Sequence, residues 1–154
     1  MKIMLLGSGG REHALAWKIS QSQQCETLYI APGNAGTASC GINVDMADND
    51  IDAIKTFIIE KQIDMLVVGP EQPLVDGLTD AIQQNEQTKH VIVIGPNKKG
   101  AKLEGSKDFA KQFMQKYHIP TAKYATFSKE QYDNAINFMQ TLQAPYVLKA
   151  DGLA

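Results

Sequence analysis

Ile3-Met4-Leu5-Leu6-Gly7-Ser8-Gly9-Gly10-Arg11-Glu12 runs four apolar residues straight into a glycine-rich turn. A short, continuously apolar segment predicts a strand buried on both faces, as in a parallel sheet. Residues 11–22 predict the helix that follows. Gly7 and Gly9 permit a tight turn, and Gly10 lets a ligand approach the backbone. Unpaired N–H groups at a helix start, with the helix dipole, make an anion site to which Arg11 adds a charged fork. Taken by itself, the turn keeps two readings open: a phosphate-binding loop, or a tight turn with no ligand. The dinucleotide pattern GxGxxG needs glycine at position 12, where this chain has Glu12. The end of the second strand carries Ile30-Ala31-Pro32 where a nicotinamide fold wants an acidic residue. Both departures argue against NAD. No Gly-Lys-Ser or Gly-Lys-Thr string is present, so the turn is not a Walker A loop either.

Outward from this turn, strand-like and helix-like segments alternate. Residues 27–31 predict a second strand, closed by Pro32-Gly33-Asn34, and residues 42–46 a short third one. Residues 50–61 predict a helix with Ile51, Ile54 and Ile58 on one face and Asp50 as its N-cap. Residues 65–68 form another apolar strand ended by Gly69-Pro70, residues 74–85 a helix, and residues 91–94 a further buried strand ended by Gly95-Pro96. This alternation predicts an α/β fold with a doubly wound parallel sheet, whose ligand crevice lies outside the carboxyl ends of the strands. Gly7, Pro32, Pro70 and Pro96 all fall on that rim.

Beyond Pro96 the pattern changes. Residues 97–105 are polar and basic. Residues 107–117 predict a helix with Phe109, Phe113 and Tyr117 at helical spacing. A strand at 123–127, a helix at 128–143 opened by a Ser128/Gln131 capping box, and a strand at 146–150 complete the expectation. The organisation predicted is an α/β substrate-binding domain over residues 1–103 and the start of a second domain over residues 104–154.

Composition narrows the function classes. The 154 residues carry a formal net charge of −2, which advertises neither nucleic acid nor an anionic membrane surface. No apolar run reaches bilayer-spanning length, and the apolar N-terminus is too short for a signal-peptide core. Cys25 and Cys40 form no CxxC pair and lack zinc spacing, so two free thiols and a cytoplasmic location are expected.

Other rim residues offer chemistry. The loop Ala31-Pro32-Gly33-Asn34-Ala35-Gly36-Thr37 leaves room for a ligand, with Asn34 and Thr37 offering hydrogen bonds; an ordinary turn is the alternative. Glu71, just past a strand end, either orients an amine or sugar hydroxyl or simply faces a helix dipole. Lys107, in the first turn of a helix, reads by itself as a solvated surface lysine. Lys149, inside an apolar strand, either faces solvent by alternation or points at an anion. His13, His90 and His118 lack ligand spacing, and Trp17 is expected in the core. No arrangement argues for a covalent nucleophile.

Together these strings carry a resemblance. Gly7-Ser8-Gly9-Gly10-Arg11-Glu12-His13-Ala14-Leu15, Ala31-Pro32-Gly33-Asn34-Ala35-Gly36-Thr37, Val68-Gly69-Pro70-Glu71, Leu103-Glu104-Gly105-Ser106-Lys107 and Leu148-Lys149-Ala150-Asp151-Gly152-Leu153-Ala154 stand in this order. The chain resembles, over its whole length, the phosphoribosylamine–glycine ligase (glycinamide ribonucleotide synthetase) family of purine biosynthesis. The resemblance implies an ATP-grasp ligase whose N-terminal, Rossmann-like domain binds 5-phosphoribosylamine. It implies ATP with Mg²⁺ or Mn²⁺ as cofactors and a glycyl phosphate intermediate formed from glycine and ATP. It places Gly9, Gly10, Arg11 and Glu12 at the phosphoribosyl group, Asn34, Ala35, Gly36 and Thr37 along the same crevice, and Pro70 and Glu71 near the amine. Lys107 and Lys149 match the two nucleotide-facing lysines, while the metal ligands of the family lie beyond the strings matched. Family members being much longer, the expectation is an incomplete ATP-grasp segment and a chain inactive alone. The segment 106–154, with its apolar helix face, is expected to promote self-association. A non-catalytic phosphate- or nucleotide-binding module with a flavodoxin-like sheet is the alternative left open.

Overall fold

The computed structural model describes residues 1–152, in two compact units that divide after Ala101. Leu153 and Ala154, the end of the last string quoted above, lie outside the described residues.

In the first unit, β1 (Lys2–Gly7), β2 (Thr27–Pro32), β3 (Ile42–Asn43), β4 (Met65–Val68) and β5 (Ile92–Ile94) form one parallel sheet in the order β3-β2-β1-β4-β5. Helix α1 (Gly10–Ser20) joins β1 to β2, a 3₁₀ turn at Thr37–Ser39 joins β2 to β3, α2 (Ile51–Lys61) joins β3 to β4, and α3 (Gln72–Asp76) with α4 (Leu78–Gln84) joins β4 to β5. Because successive strand side chains point to opposite faces, β1 divides its apolar residues between two cores. Met4 and Leu6 pack with Ile54, Ile58, Leu66, Leu78 and Ile82 on one face. Ile3 and Leu5 pack with Ala16, Leu28 and Ile30 on the other. The sheet is covered on both sides, which is why β1 reads as an unbroken apolar run. Asp50 caps α2 as expected, its Oδ1 accepting from the Ala53 N–H at 3.0 Å.

Several expectations need correction. The single helix predicted at 74–85 is two, α3 and α4, because Gly77 takes φ +105° and turns the chain between them. The strand at 91–94 is not buried throughout: Ile92 and Ile94 are each 49 % exposed, since β5 is an edge strand with one uncovered face. Trp17 is 57 % exposed on the outer face of α1, whose inner face buries Ala16, and is not a core residue.

The second unit follows from Lys102, within a helix that begins in the first. Helix α5 (Lys98–Gly105) occupies the polar stretch for which no element was expected. Next come α6 (Lys107–Lys116) and α7 (Tyr132–Gln140), the latter preceded by a 3₁₀ turn at Lys129–Gln131. The expected helix at 128–143 is thus shorter, although the Ser128 N–H does donate to Gln131 Oε1 at 2.9 Å. The strands expected at 123–127 and 146–150 do not form. Strands exist through cross-strand pairing, and among the described residues no backbone bond joins these segments.

Candidate functional site

The candidate site grows from the end of β1. Gly7, at φ +117°, turns the chain in a conformation that L side chains rarely adopt, and Gly9 becomes the N-cap of α1. A glycine cap has no side-chain oxygen to offer. The N–H groups of Gly10 and Arg11 accordingly have no acceptor among the described residues, as expected of the first turn of an uncapped helix. A Cβ added at Gly10 would meet nothing within 4 Å, so the space over the turn is open.

Glu12 folds back beneath the turn and is 4 % exposed. Its Oε2 accepts from the Gly9 N–H at 2.8 Å, and its Oε1 accepts from Arg11 Nε at 3.0 Å. Arg11 then donates from Nη1 to Glu71 Oε1 at 2.7 Å. Glu71 follows β4, and β1 and β4 are neighbours where the strand order reverses. Ligands of doubly wound sheets bind at this switch point, and the Arg11–Glu71 pair bridges it. The hydrogen bond from Arg11 holds the Glu71 carboxyl below its ordinary range, and the bonds to Glu71 and Glu12 raise the Arg11 guanidinium further. Both partners reach solvent, so the pair is worth about 0–1 kcal/mol to stability and mainly sets orientation. Pro70 sits against the turn, its Cδ 3.1 Å from where a Cβ on Gly7 would stand.

The loop after β2 is tied to the same turn. Asn34 Nδ2 donates to the Ser8 carbonyl at 2.7 Å, and Asn34 Oδ1 accepts from the N–H groups of Gly36 and Thr37 at 2.7 and 3.0 Å. Thr37 is fully buried; its hydroxyl accepts from the Asn34 N–H at 2.7 Å and lies 2.8 Å from Asn43 Oδ1. The side chains of Asn34 and Thr37 are therefore committed to building the loop. Ala35 is exposed on its outer side, and Gly36 leaves space filled by the His13 ring. Asn43, which sequence reasoning did not single out, also donates from Nδ2 to the Asn34 carbonyl at 2.7 Å. A lone asparagine in a two-residue strand gave no signal of that role.

In the second unit, Lys107 and Lys149 line one cavity with Tyr124, Thr126 and Leu148. Ser106 caps α6 by accepting from the Phe109 N–H at 3.1 Å. Asp151, likewise not singled out for this, adds its carboxylate to that helix start. It accepts from the Lys107 N–H at 2.6 Å, the Asp108 N–H at 3.2 Å and the Ser106 hydroxyl at 3.1 Å. These donors, the Asp108 N–H foremost, lower the Asp151 carboxyl below its ordinary range. Lys107 Nζ donates to the Gly152 carbonyl. Among the described residues no group of three or more His, Cys, Asp or Glu side chains is arranged to hold a metal ion. Nor is any helix there long and apolar enough to cross a membrane.

Residues 1–104 match the family model described as phosphoribosylglycinamide synthetase, N domain. The chain belongs to the phosphoribosylglycinamide synthetase family. Residues 105–154 match that family's ATP-grasp (A) domain. Among curated relatives, the phosphoribosylamine–glycine ligase of Caldanaerobacter subterraneus subsp. tengcongensis is 44 % identical over 154 residues, covering 100 % of this chain and 36 % of the relative. The chain thus spans about a third of the length of the curated relatives it matches. The crystal structure of the phosphoribosylamine–glycine ligase of Thermotoga maritima superposes with a TM-score of 0.69 at 34 % identity, covering 99 % of this chain and 34 % of that one. The N5-carboxyaminoimidazole ribonucleotide synthetase of the same organism shares the fold, with a TM-score of 0.58 at 14 % identity over 88 % of this chain and 36 % of that one.

Proposed function

We propose that this chain supplies the phosphoribosylamine-binding end of a cytoplasmic phosphoribosylamine–glycine ligase of purine biosynthesis. The observation that carries the reading is the Arg11–Glu71 bridge at the switch point of the sheet, beside a helix start whose first N–H groups are unpaired. The N–H groups of Gly10 and Arg11, with the Gly9 backbone beside them, receive the 5-phosphate, as uncapped helix starts receive anions. Arg11 uses two of its N–H donors on Glu12 and Glu71 and keeps the remaining three of a guanidinium's five for the ligand. Glu71 and Pro70 stand across the crevice, where the sugar carries its amine, and a carboxylate there attracts and orients that group. The loop of Asn34, Ala35, Gly36 and Thr37 forms the wall of the crevice.

In the ligase reaction, the glycine carboxylate attacks the γ-phosphorus of ATP and ADP leaves. The amine of phosphoribosylamine then attacks the carbonyl carbon of glycyl phosphate, losing a proton as inorganic phosphate departs. Catalysis of this kind is mostly positioning and neutralisation of charge. Lys107 and Lys149, on one cavity of the second unit, are the cations this chain offers to the nucleotide. A divalent metal ion, Mg²⁺ or Mn²⁺, would neutralise phosphate charge when bound. The described residues gather no ligand set for it.

Thermal unfolding with ribose 5-phosphate tests the reading. The sugar phosphate is expected to raise the midpoint, and Arg11→Ala to remove the shift. Stabilisation by AMP or FMN with no response to ribose 5-phosphate would replace the ligase reading with a free-nucleotide module.

A further inference from the structure

We propose that Glu12 is a positioning residue that never touches substrate: its buried carboxylate aims the Arg11 guanidinium across the crevice and fixes the Gly9 N–H in the turn. The proposal rests on the phosphate-binding reading of that turn. Three observations support it.

The first is burial. Glu12 is 4 % exposed whereas Arg11, the adjoining residue, has a side chain 56 % exposed. A carboxylate withdrawn from water is costly unless donors meet it, and here both oxygens are met, one by Gly9 N and one by Arg11 Nε.

The second is space. A Cβ on Gly7 would stand 2.6 Å from Glu12 Cγ, and one on Gly69 would stand 2.6 Å from the same atom while overlapping Glu12 Oε1. Glycines on β1 and just after β4 therefore vacate the volume that the Glu12 side chain fills. Its room is set from two strands, so the carboxylate has one place to be.

The third is the route of the contact. Glu12 holds Arg11 at Nε, the root of the fork, and Glu71 holds it at Nη1. Bonds at two different nitrogens hold the guanidinium plane in a single orientation, and under this proposal its remaining donors are turned to the open side of the crevice. Arg11 is also the only arginine in the sequence, so no other guanidinium substitutes for it.

The Nε–H resonance of that single arginine gives a direct test on the 154-residue chain in ¹⁵N-resolved NMR, with no ligand present. Glu12→Gln keeps the shape and removes the charge. We expect the variant to remain folded, its Arg11 Nε–H to shift and exchange with water about tenfold faster, and its affinity for ribose 5-phosphate to fall about tenfold, the loss of one charge-assisted hydrogen bond. Glu12→Asp, which keeps the charge but lacks the reach, is expected to give the same Nε–H change. A purely structural Glu12 predicts the reverse, with the isosteric glutamine leaving the Nε–H signal where it was, and that result overturns the proposal. It is equally overturned if neither variant folds, since Glu12 would then be required by the fold and not by Arg11. Failure of the wild-type chain to bind ribose 5-phosphate would sink the substrate reading alone, because the ligand-free Nε–H signal still decides whether Glu12 positions Arg11.

Discussion

The two units of this chain use their apolar residues in opposite ways. In the unit ending at Ala101, Met4, Leu5, Leu6, Ile30, Ile54, Leu66, Leu78 and Ile82 are completely shielded from water. Among the described residues after Lys102, none is buried, and Val147 and Leu148 are 76 % and 80 % exposed. The difference lies in layering. A five-stranded sheet with helices on both faces encloses two cores, whereas α6 and α7 have no sheet among the described residues of their own unit to pack on. Amphipathic helices supply a surface for a core, and only a facing layer makes the core.

The largest expected effect that tests this contrast is a cavity. Leu66→Ala on central β4 is expected to cost about 2–5 kcal/mol in urea unfolding, because the sheet around it is held on both faces. A loss below about 1 kcal/mol would break the picture of a tightly packed first unit. Next comes Gly7→Ala, which places a methyl against Glu12 Cγ at a residue with φ +117°. A loss of roughly 1–3 kcal/mol is expected, from strain at a positive φ together with crowding. An unchanged unfolding midpoint would contradict both the conformation and the packing described. Third, sedimentation at rising concentration is expected to show self-association through the exposed apolar residues beyond 106, and a monodisperse monomer would count against it.

Much of the first unit was legible because its signals are local. Four apolar residues in β1 and four in β4, each ended by glycine, need no distant information to be read as strands buried on both faces. The rim position of Gly9, Arg11, Pro70 and Glu71 followed from the topology of such sheets. The roles of individual side chains were less visible. Nothing in the string Arg11-Glu12 announces that one side chain faces water while the next lies under the turn, since that depends on the space left by Gly69 more than fifty residues later. That Thr37 and Asn34 bond to Asn43 and the Ser8 carbonyl could not be read locally, because those partners are chosen by the fold. The misread strands at 123–127 and 146–150 have strand-like composition, but a strand is a property of pairs.

Acid sharpens the comparison further, with a smaller effect. Glu71 in the first unit and Asp151 in the second both have carboxyls lowered by donors in the folded protein. Each therefore favours the folded state at pH above its ordinary value, near 4, and that contribution fades as the pH falls through the lowered folded value. Carboxyl ¹³C titration should place both midpoints below the ordinary values, and Arg11→Ala should return Glu71 towards its own while leaving Asp151 unmoved. A Glu71 midpoint indifferent to Arg11→Ala would deny the pairing across the crevice. The smallest effect is expected on the outer surface, where Lys89→Ala, breaking an exposed pair with Glu86, should cost no more than about 0.5 kcal/mol in the same urea series.

The lengths of the strands carry a last consequence. The six-residue strands β1 and β2 lie inside the sheet, while its two borders are β3, of two residues, and β5, of three. Free ladder groups on a border invite another molecule to extend the sheet. By tapering towards both borders, this sheet offers a passing chain only two or three residues of template at either edge.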